Sequence, residues 1–451
     1  MTTPMHRFTV RDDLRDSPTM SAAAMADAAK ARGKKVEIVT IGDLFPKPPQ
    51  SEVEGWLAQL LADAKKPENA DKELYRTIRE AAKIYAYSET TGLPSLRATV
   101  AHTFTRDTGL AATTVDVCIG TGGKGALNGA LAVFKPGDVV LLAAPGWPTN
   151  YDMFPAGVIL VELATGDGIL RAPVLKEALA QFPEPAAILI NAPCNPTGAN
   201  YTADEREAFF ALVNTATKAT IVLSDDPYGK LVFDREPYDI AAVLKRGAAE
   251  AALFNAGRLA CFRTVSKEYG LAGLRVGGII SKNKTMVASL KKWNESKGGG
   301  MGVEDQLKAQ AALLYGDDFI TRTVALLMEK RAILLEGIAA LHYASVAAPR
   351  GTIYGWVDFS GLKGCTVPAE ISESGAAYAI ATPADAMRYL VNVAGVCGVP
   401  GTPFYAPDSP AAAGDWHVRI SFCCEMAQLK TALNNLAHAE KMLQASGAHA
   451  A

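Results

Sequence analysis

The sequence predicts an α/β protein built around a mostly parallel central sheet that helices cover. Short runs rich in β-branched residues alternate with helical patterns from about residue 115 to residue 281, the arrangement of repeated βαβ units. Residues 202–205 read Thr-Ala-Asp-Glu, a capping box that starts one helix ahead of Phe209, Phe210 and Val213. The predicted strands are VDVCI, DVVLLAA, GVILVEL, AAILINA, ATIVLSD, LACFRTV and VGGIIS.

The chain length predicts two structural domains. Its 451 residues exceed the roughly 250–300 residues at which one hydrophobic core stops growing. We predict a large domain at about residues 91–310. The N-terminal segment, residues 1–90, and the C-terminal part, residues 311–451, are predicted to contribute a smaller α+β domain made from both chain ends. Successive glycines in residues 297–302 predict a flexible loop between the two.

The composition argues against nucleic acid and membrane surfaces as binding partners. With 49% hydrophobic residues, 20% charged residues and a net charge of -2, the chain offers no electrostatic reason to bind nucleic acid or a membrane surface. Seven cysteines without CxxC spacing fit a reducing compartment. No apolar stretch approaches the roughly 20 residues of a membrane-spanning helix, and the first residues show no export signal. We therefore expect a cytoplasmic protein with small-molecule partners.

Residues 264–278, TVSKEYGLAGLRVGG, carry the strongest functional signal. A predicted strand ends just before Lys267, and Arg275 follows eight residues later. A lysine amine can form an imine with an aldehyde cofactor, and a guanidinium can hold a phosphate through two parallel hydrogen bonds. Without the surrounding residues, Lys267 would be interpreted as an ordinary surface lysine. The motif around it, with Arg275 eight residues later, indicates that it binds a cofactor.

This stretch resembles the SK…GLxGxRxG motif of the class I/II aminotransferases, the aspartate aminotransferase-like enzymes of fold type I that use pyridoxal 5′-phosphate. Further blocks resemble the same family in the same order, so the resemblance covers most of the chain. It implies a fold type I transferase in which Lys267 carries the cofactor covalently. Thr264 and Arg275 would hold the cofactor phosphate.

A glycine-rich turn, IGTGGKGAL at residues 119–127, lies between a predicted strand and a predicted helix. Glycines let the backbone approach a phosphate, and free N–H groups at a helix N-terminus bind it. The pattern is not a Walker motif, because Lys124 precedes the last glycine, and alone it is equally a tight turn. The resemblance implies that Gly122, Gly123 and Lys124 bind the cofactor, Lys124 through its backbone N–H.

Two further blocks of the resemblance supply one residue each to the cofactor ring. In APGWPTNY, residues 144–151, the family has an aromatic residue that stacks on the pyridine ring, a role suited to the indole of Trp147. Packing in the core is the alternative for Trp147. In NAPCNPTG, residues 191–198, the resemblance makes Asn195 the partner of the phenolic oxygen and a contact of the substrate, and it leaves Asn191 structural.

The segment LSDDPY, residues 223–228, resembles the S-D-x-x-Y pattern of the family. A carboxylate that faces the pyridine nitrogen keeps it protonated, which makes the cofactor an effective electron sink. Either Asp225 or Asp226 could serve, and the family spacing of three residues to Tyr228 selects Asp225. Tyr228 would join Asn195 at the phenolic oxygen. Lys267, Asp225 and Tyr228 are thus the predicted catalytic residues.

Three positions rest on shorter matches to the family. Arg419, in HVRISF, matches the arginine that clamps the substrate α-carboxylate, for which the guanidinium fork is suited. Gly42, in EIVTIGD, matches the glycine whose backbone approaches that carboxylate. Tyr87, in YSETTGLPSLR, matches a tyrosine that reaches the cofactor phosphate of the neighbouring subunit, with Tyr85 as its nearest rival. The resemblance therefore implies a homodimer with shared active sites.

As a whole, the resemblance implies an aminotransferase that moves an amino group between an L-amino acid and a 2-oxo acid by a ping-pong mechanism and needs no metal. One alternative is another fold type I reaction, such as β-elimination, decarboxylation or cyclisation, because the same cofactor ligands host all of these. Another is a non-catalytic domain that senses an effector, which normally accompanies a DNA-binding domain; no basic helix-turn-helix pattern precedes this one. Lys297 lies where dicarboxylate-specific relatives present a cation across the dimer, but the side-chain specificity stays open.

Overall fold

The computed structural model of the chain describes residues 3–11, 17–40, 42–76, 87–233, 238–298 and 300–445. The strands are β1 (Met5–Thr9), β2 (Glu37–Ile38), β3 (Val117–Thr121), β4 (Val139–Ala144), β5 (Ile159–Ala164), β6 (Ala187–Asn191), β7 (Ile221–Asp225), β8 (Leu259–Thr264), β9 (Val276–Ser281), β10 (Ser345–Val346), β11 (Tyr354–Asp358), β12 (Thr366–Val367), β13 (Tyr378–Ala379), β14 (Val396–Cys397), β15 (Val399–Pro400) and β16 (His417–Ser421). The helices are α1 (Pro18–Ala31), α2 (Gln50–Ala64), α3 (Glu73–Arg76), α4 (Pro94–Thr108), α5 (Gly122–Leu131), α6 (Ala172–Gln181), α7 (Ala203–Ala216), α8 (Ile240–Leu244), α9 (Ala248–Asn255), α10 (Val265–Glu268), α11 (Lys284–Trp293), α12 (Val303–Tyr315), α13 (Asp317–Ala339), α14 (Pro383–Tyr389), α15 (Pro410–Ala413) and α16 (Met426–Ala445).

One large sheet organises the middle of the chain, with strand order β1-β5-β4-β6-β7-β8-β9-β3. The strands from β5 to β8 in that order pair in parallel. The strand β9 is antiparallel to both of its neighbours, and β1 is antiparallel to β5. All the predicted strand runs lie in this sheet as β3 to β9, so the predicted mostly parallel α/β sheet is confirmed. The edge strand β1 had no counterpart in the prediction.

The strands β6, β7 and β8 are apolar up to their last one or two residues because both faces of the sheet are covered. Every residue of β6 is buried. Ile188 and Ile190 point into one hydrophobic core, and Ala187 and Leu189 point into the other, as alternation along a strand requires. A buried parallel strand is therefore a continuous apolar run, not an alternating one.

The capping box predicted for α7 is present. The Thr202 hydroxyl accepts a hydrogen bond from the Glu205 N–H at 3.1 Å, and the Glu205 carboxylate accepts one from the Thr202 N–H at 2.8 Å. This satisfies two backbone donors that the first turn of a helix would otherwise leave free. The α7 helix packs on the sheet through Phe209, Phe210 and Val213, which are fully buried.

A second, smaller sheet has the order β10-β11-β16-β15 and is antiparallel throughout. Beside it, β2 from the N-terminal part pairs in parallel with β14 from the C-terminal part. The α1 helix contacts β14 and β15. Both chain ends therefore contribute to this region, whereas β1 belongs to the large sheet. The domain boundaries near residues 90 and 310 stay a prediction.

Within the described ranges, no helix combines the length and the apolar character needed to cross a membrane.

Candidate active site

A cavity of about 250 Å³ opens at the carboxyl ends of β6, β7 and β8. Parallel strands end at the same edge of a sheet, and this edge is where ligands bind in open α/β sheets. The cavity collects most of the residues that the sequence singles out. Those that line it are Gly42, Gly123, Lys124, Trp147, Asn195, Asp225, Tyr228, Thr264, Lys267, Arg275 and Arg419.

Lys267 lies in α10, the short turn that directly follows β8. The Thr264 hydroxyl caps this turn by accepting the Ser266 N–H at 3.2 Å. The Lys267 ammonium donates a hydrogen bond to the carbonyl oxygen of Gly42. The next residue, Glu268, is buried and accepts the Lys230 N–H at 2.8 Å on the other side of the turn. The turn therefore directs the lysine into the cavity and the glutamate away from it.

Asp225 ends β7 and faces the cavity, while Asp226 faces the opposite way. The Asn191 amide donates to the Asp225 carbonyl oxygen at 2.8 Å and lies 3.4 Å from its carboxylate. Asp226 accepts the Ser224 hydroxyl at 2.9 Å and lies 3.9 Å from a nitrogen of Arg246. Burial, together with the charge of Asp226, raises the pKa of Asp225 to about 8. A positive charge placed beside Asp225 would hold it ionised.

Arg419, on β16, reaches across to the large sheet. Its Nη1 donates to the side-chain oxygen of Asn195 at 2.8 Å, and its Nη2 donates to the Thr40 carbonyl oxygen at 3.2 Å. Its guanidinium lies 4.2 Å from the centre of the Tyr354 ring. Arg419 is buried, its Nε has no hydrogen-bond partner, and it forms no ion pair among the described residues. A buried guanidinium without a carboxylate partner is suited to an anionic ligand.

The glycine-rich turn forms an anion cradle at the start of α5. Gly122 has a φ of 71°, and its N–H donates to the Arg275 carbonyl oxygen at 2.7 Å. A Cβ on Gly122 would lie 2.6 Å from a guanidinium nitrogen of Arg275, and the positive φ would strain any other residue, so glycine is favoured there. The hydroxyls of Thr264 and Ser266 lie 2.8 Å apart on the same cavity wall. Helix N–H groups, hydroxyls and a guanidinium thus converge, as they do around bound phosphates.

The side chain of Lys124 also turns towards the cavity. Its ammonium lies 5.3 Å from the centre of the Trp147 ring, within cation–π distance. Burial and the nearby charge of Arg275 lower the pKa of Lys124. Trp147 presents its ring to the cavity from the start of the turn Pro148–Tyr151, whereas Tyr151 is buried in the core with its hydroxyl on Glu162 at 2.8 Å.

Among the positions that the sequence analysis connects with a ligand, Gly122, Tyr87 and Lys297 do not line the cavity. Tyr87 is 99% exposed and does not line it. Its rival Tyr85 lies outside the described residues. Lys297 is exposed near the end of the turn Asn294–Gly298 and does not line the cavity either. The roles of Tyr87 and Lys297 towards a second subunit stay predictions.

Three hydroxyl-bearing residues that line the cavity were given no role in the sequence analysis: Thr19, Ser266 and Tyr354. The Tyr354 hydroxyl lies 3.0 Å from that of Tyr228, and a Cβ on Gly42 would approach it to 2.8 Å. Ser266 directly precedes Lys267, so its position next to Thr264 was a signal that could have found it. Thr19 and Tyr354 arrive from distant parts of the chain and carry no local motif.

Comparison with known proteins identifies related sequences. A family profile described as aminotransferase class I and II matches residues 58–436. An aspartate aminotransferase from Rhizobium meliloti is 27% identical over 434 residues, which span 95% of this chain and 94% of that protein. An asparagine–oxo-acid transaminase from Streptococcus mutans is 24% identical over 431 residues, which span 94% of this chain and 96% of that protein.

Solved structures show the same fold. The aspartate aminotransferase of Rhizobium meliloti superposes with a TM-score of 0.75 at 24% identity and covers 95% of this chain and 97% of its own. The aspartate aminotransferase of Thermus thermophilus with maleate gives a TM-score of 0.72 at 24% identity, with 94% and 97% covered. The predicted fold type I architecture is confirmed.

The buried carboxyl of Asp225 predicts a pH dependence of stability in the protein freed of bound ligands. The folded chain keeps this proton up to about pH 8, whereas an unfolded aspartate releases it near pH ~4. The unfolded state therefore binds fewer protons in this window, and the free energy of unfolding should fall as the pH rises from about 4 to about 8.

Asp225→Asn should remove that contribution to the free energy of unfolding. Urea unfolding across this pH range measures it, with Asp204→Asn, an exposed position on α7, as control. A difference between wild type and Asp225→Asn that does not change with pH would contradict it.

Proposed function

The chain belongs to the class I and II aminotransferase family and is an aminotransferase, and we propose that Lys267 carries its cofactor and that the cavity around Lys267 is its active site. Amino-group transfer is the activity of its relatives, so elimination, decarboxylation, cyclisation and a purely sensory role are not favoured. The observation that carries the proposal is the convergence of Lys267, Asp225, Asn195 and Arg419 in one cavity.

The cavity fits pyridoxal 5′-phosphate, the cofactor on which this family depends. The cradle of Gly123, Thr264, Ser266 and Arg275 suits its phosphate. Asp225, whose carboxyl is buried without a cationic partner among the described residues, suits a protonated ring nitrogen. When bound, the cofactor supplies an electron sink for the negative charge that develops at the substrate Cα. Trp147, Asn195 and Tyr228 would hold the ring.

In the proposed mechanism, Lys267 first anchors the cofactor and then acts as the general base. Its amine, once released, would take the proton from the substrate Cα and deliver it to the cofactor, and in the second half of the reaction it would carry a proton in the opposite direction. The Gly42 carbonyl oxygen, which now accepts its hydrogen bond, keeps the amine within the cavity. Asp225 contributes a buried negative charge that stays fixed during both halves.

Arg419 is the proposed clamp for the substrate α-carboxylate. It is buried on β16, and Asn195 and Thr40 hold its two terminal nitrogens in place. The clamp orients the substrate so that its Cα faces the cofactor and Lys267.

The named activities of the relatives make aspartate and asparagine the first amino donors to assay, with pyruvate and 2-oxoglutarate as acceptors.

We further propose a homodimer with shared active sites. The almost complete exposure of the Tyr87 ring supports it, because a tyrosine that serves a neighbouring subunit projects away from its own. A cytoplasmic location is supported by the cysteines, all of which are free.

The transferase mechanism predicts a stoichiometric half-reaction. With an amino donor and no acceptor, each active site should release about one equivalent of 2-oxo acid and then stop, since turnover needs a second substrate to return the cofactor. Lys267→Ala should lose the visible absorbance of the covalently bound cofactor and nearly all turnover. Lys291→Ala, at an exposed position on α11, should behave as wild type. Continuous release of 2-oxo acid without an acceptor would indicate a lyase instead.

Removal of the carboxylate clamp should weaken catalysis but not cofactor binding. The loss of a bidentate, charge-assisted pair in Arg419→Ala should cost roughly 2–5 kcal/mol in transition-state binding, a fall in kcat/KM of about 30-fold to several thousand-fold. Steady-state kinetics and the cofactor content measure the two effects. Arg322→Ala, at the surface of α13, is the control. If Arg419→Ala lost the cofactor or kept normal kinetics, the clamp would have to be elsewhere.

The shared site predicts complementation between two inactive chains. A mixed dimer of Tyr87→Ala and Lys267→Ala chains places both defects in one site and leaves the other intact. After subunit exchange, activity should recover towards about half of that of a normal dimer, because two-fold symmetry makes each subunit give one tyrosine and receive another. Mass spectrometry verifies that mixed dimers form. Mixed dimers without activity would show that Tyr87 does not serve the partner.

A further inference from the structure

A second cavity lies beside the loops of the active site, and its lining is basic. Its volume is about 270 Å³, close to the 250 Å³ of the active-site cavity. Its wall includes Pro193, from the loop that carries Asn195, and Gly229, which follows Tyr228. Among the residues described, none that lines it is acidic. The cations that line it are Arg206, Lys245, Arg246 and Arg350.

Arg246 is the buried cation of this cavity whose hydrogen bonding is least complete. Its side chain is only 8% exposed, and among the described residues its guanidinium makes no hydrogen bond. Its Nε lies 3.4 Å from a Glu250 oxygen, and its Nη2 lies 3.9 Å from an Asp226 oxygen. These distances exceed those of a good N–H···O bond. A guanidinium cannot give up its charge at neutral pH, so it needs acceptors when it is buried.

The two carboxylates nearest to Arg246 already have other partners. Glu250 accepts two hydrogen bonds from Arg206, at 2.7 and 2.8 Å, in bidentate geometry. Asp226 accepts the Ser224 hydroxyl at 2.9 Å. Lys245, exposed at the rim, forms no ion pair with any residue in the described part of the chain. The cavity therefore presents positive charge and free donors to whatever enters it.

We propose that this cavity binds a small organic oxyanion, a carboxylate or a phosphate ester, with its charged group on Arg246. A guanidinium offers parallel N–H donors that match the oxygens of a carboxylate and those of a phosphate, so the same binding geometry suits either ligand. The volume approaches the roughly 300 Å³ at which ligand pockets begin, which suits a metabolite and not a peptide.

The proposed anion site is separate from the substrate site but adjoins it. Asp225 faces the active-site cavity, while its neighbour Asp226 lies near Arg246. An anion on Arg246 competes with Asp226 for that guanidinium. The ligand therefore acts next to the residue that balances the cofactor charge, a position suited to an effector.

The test is calorimetric titration of the cofactor-saturated enzyme with inorganic phosphate and, separately, with succinate. At least one probe should bind saturably, and Arg246→Met should weaken it by about tenfold or more, the effect of losing one charge-assisted pair. Lys245→Gln should weaken it less, since an exposed charge is screened. Arg322→Gln, which removes a surface arginine paired with Glu52, should leave it unchanged. Phosphate binding alone assigns a phosphate ligand, and succinate binding alone a carboxylate ligand.

Succinate can also enter the active site, so its titration is repeated with Arg419→Ala. Binding that survives Arg419→Ala and is lost in Arg246→Met belongs to the second cavity. Retained cofactor content shows that Arg246→Met is folded. If Arg246→Met fails to fold, the probe affinity of the double variant Lys245→Gln and Arg350→Gln is compared with that of wild type instead. Absence of saturable binding of both probes at concentrations up to roughly 50 mM, far above a millimolar Kd, or equal affinity in Arg246→Met and wild type, would overturn the proposal.

Discussion

Parallel pairing of β6, β7 and β8 is the constraint on which the rest of the active site depends. The register pairs Asn191 with Asp225, and Asp225 with Phe262, so β6 and β7 end in one row and β8 ends two residues beyond it. The loops that follow these three strands therefore leave the sheet at the same edge. The Asn195 loop, the Asp225 carboxylate and the Lys267 turn meet there although more than one helix separates them in sequence. Asn191 strengthens the arrangement, because its amide bonds the Asp225 carbonyl oxygen and its oxygen accepts the Asn195 N–H at 2.8 Å.

The smaller sheet completes the site through Arg419 on β16 and Tyr354 on β11. Arg419 bonds Asn195 of the large sheet and the Thr40 carbonyl oxygen from the N-terminal part, and it approaches the Thr19 hydroxyl at 3.5 Å. One guanidinium thus ties the two chain ends to the carboxyl edge of the large sheet. Such a contact has a high loop-closure cost, so it forms only when both sheets are in place. The residue that we propose as the carboxylate clamp therefore also links the two sheets.

The strands and the cavity residues could be predicted because their signals are local. A buried parallel strand is a continuous apolar run, and the segments TVSK, NAPCNPTG and SDDPY each lie directly after such a run. The edge strand β1 was missed because MHRFT has no apolar run and is defined by its partner β5, far along the chain. Tyr354 and Thr19 were missed for the same reason, since only tertiary contacts bring them to Tyr228 and Arg419. The second cavity is likewise formed by segments whose charges look like ordinary surface residues in the sequence.

We propose Lys267, in the turn after β8 and held in the cavity by the Gly42 carbonyl oxygen, as the attachment point of the cofactor. Reduction of the cofactor-loaded protein with borohydride fixes the pyridoxyl group on the lysine that carries it, and peptide mapping by mass spectrometry locates it. We expect the label on the peptide that contains Lys267 and on no other. A label on Lys124, which also faces the cavity, or on buried Lys230 would contradict it.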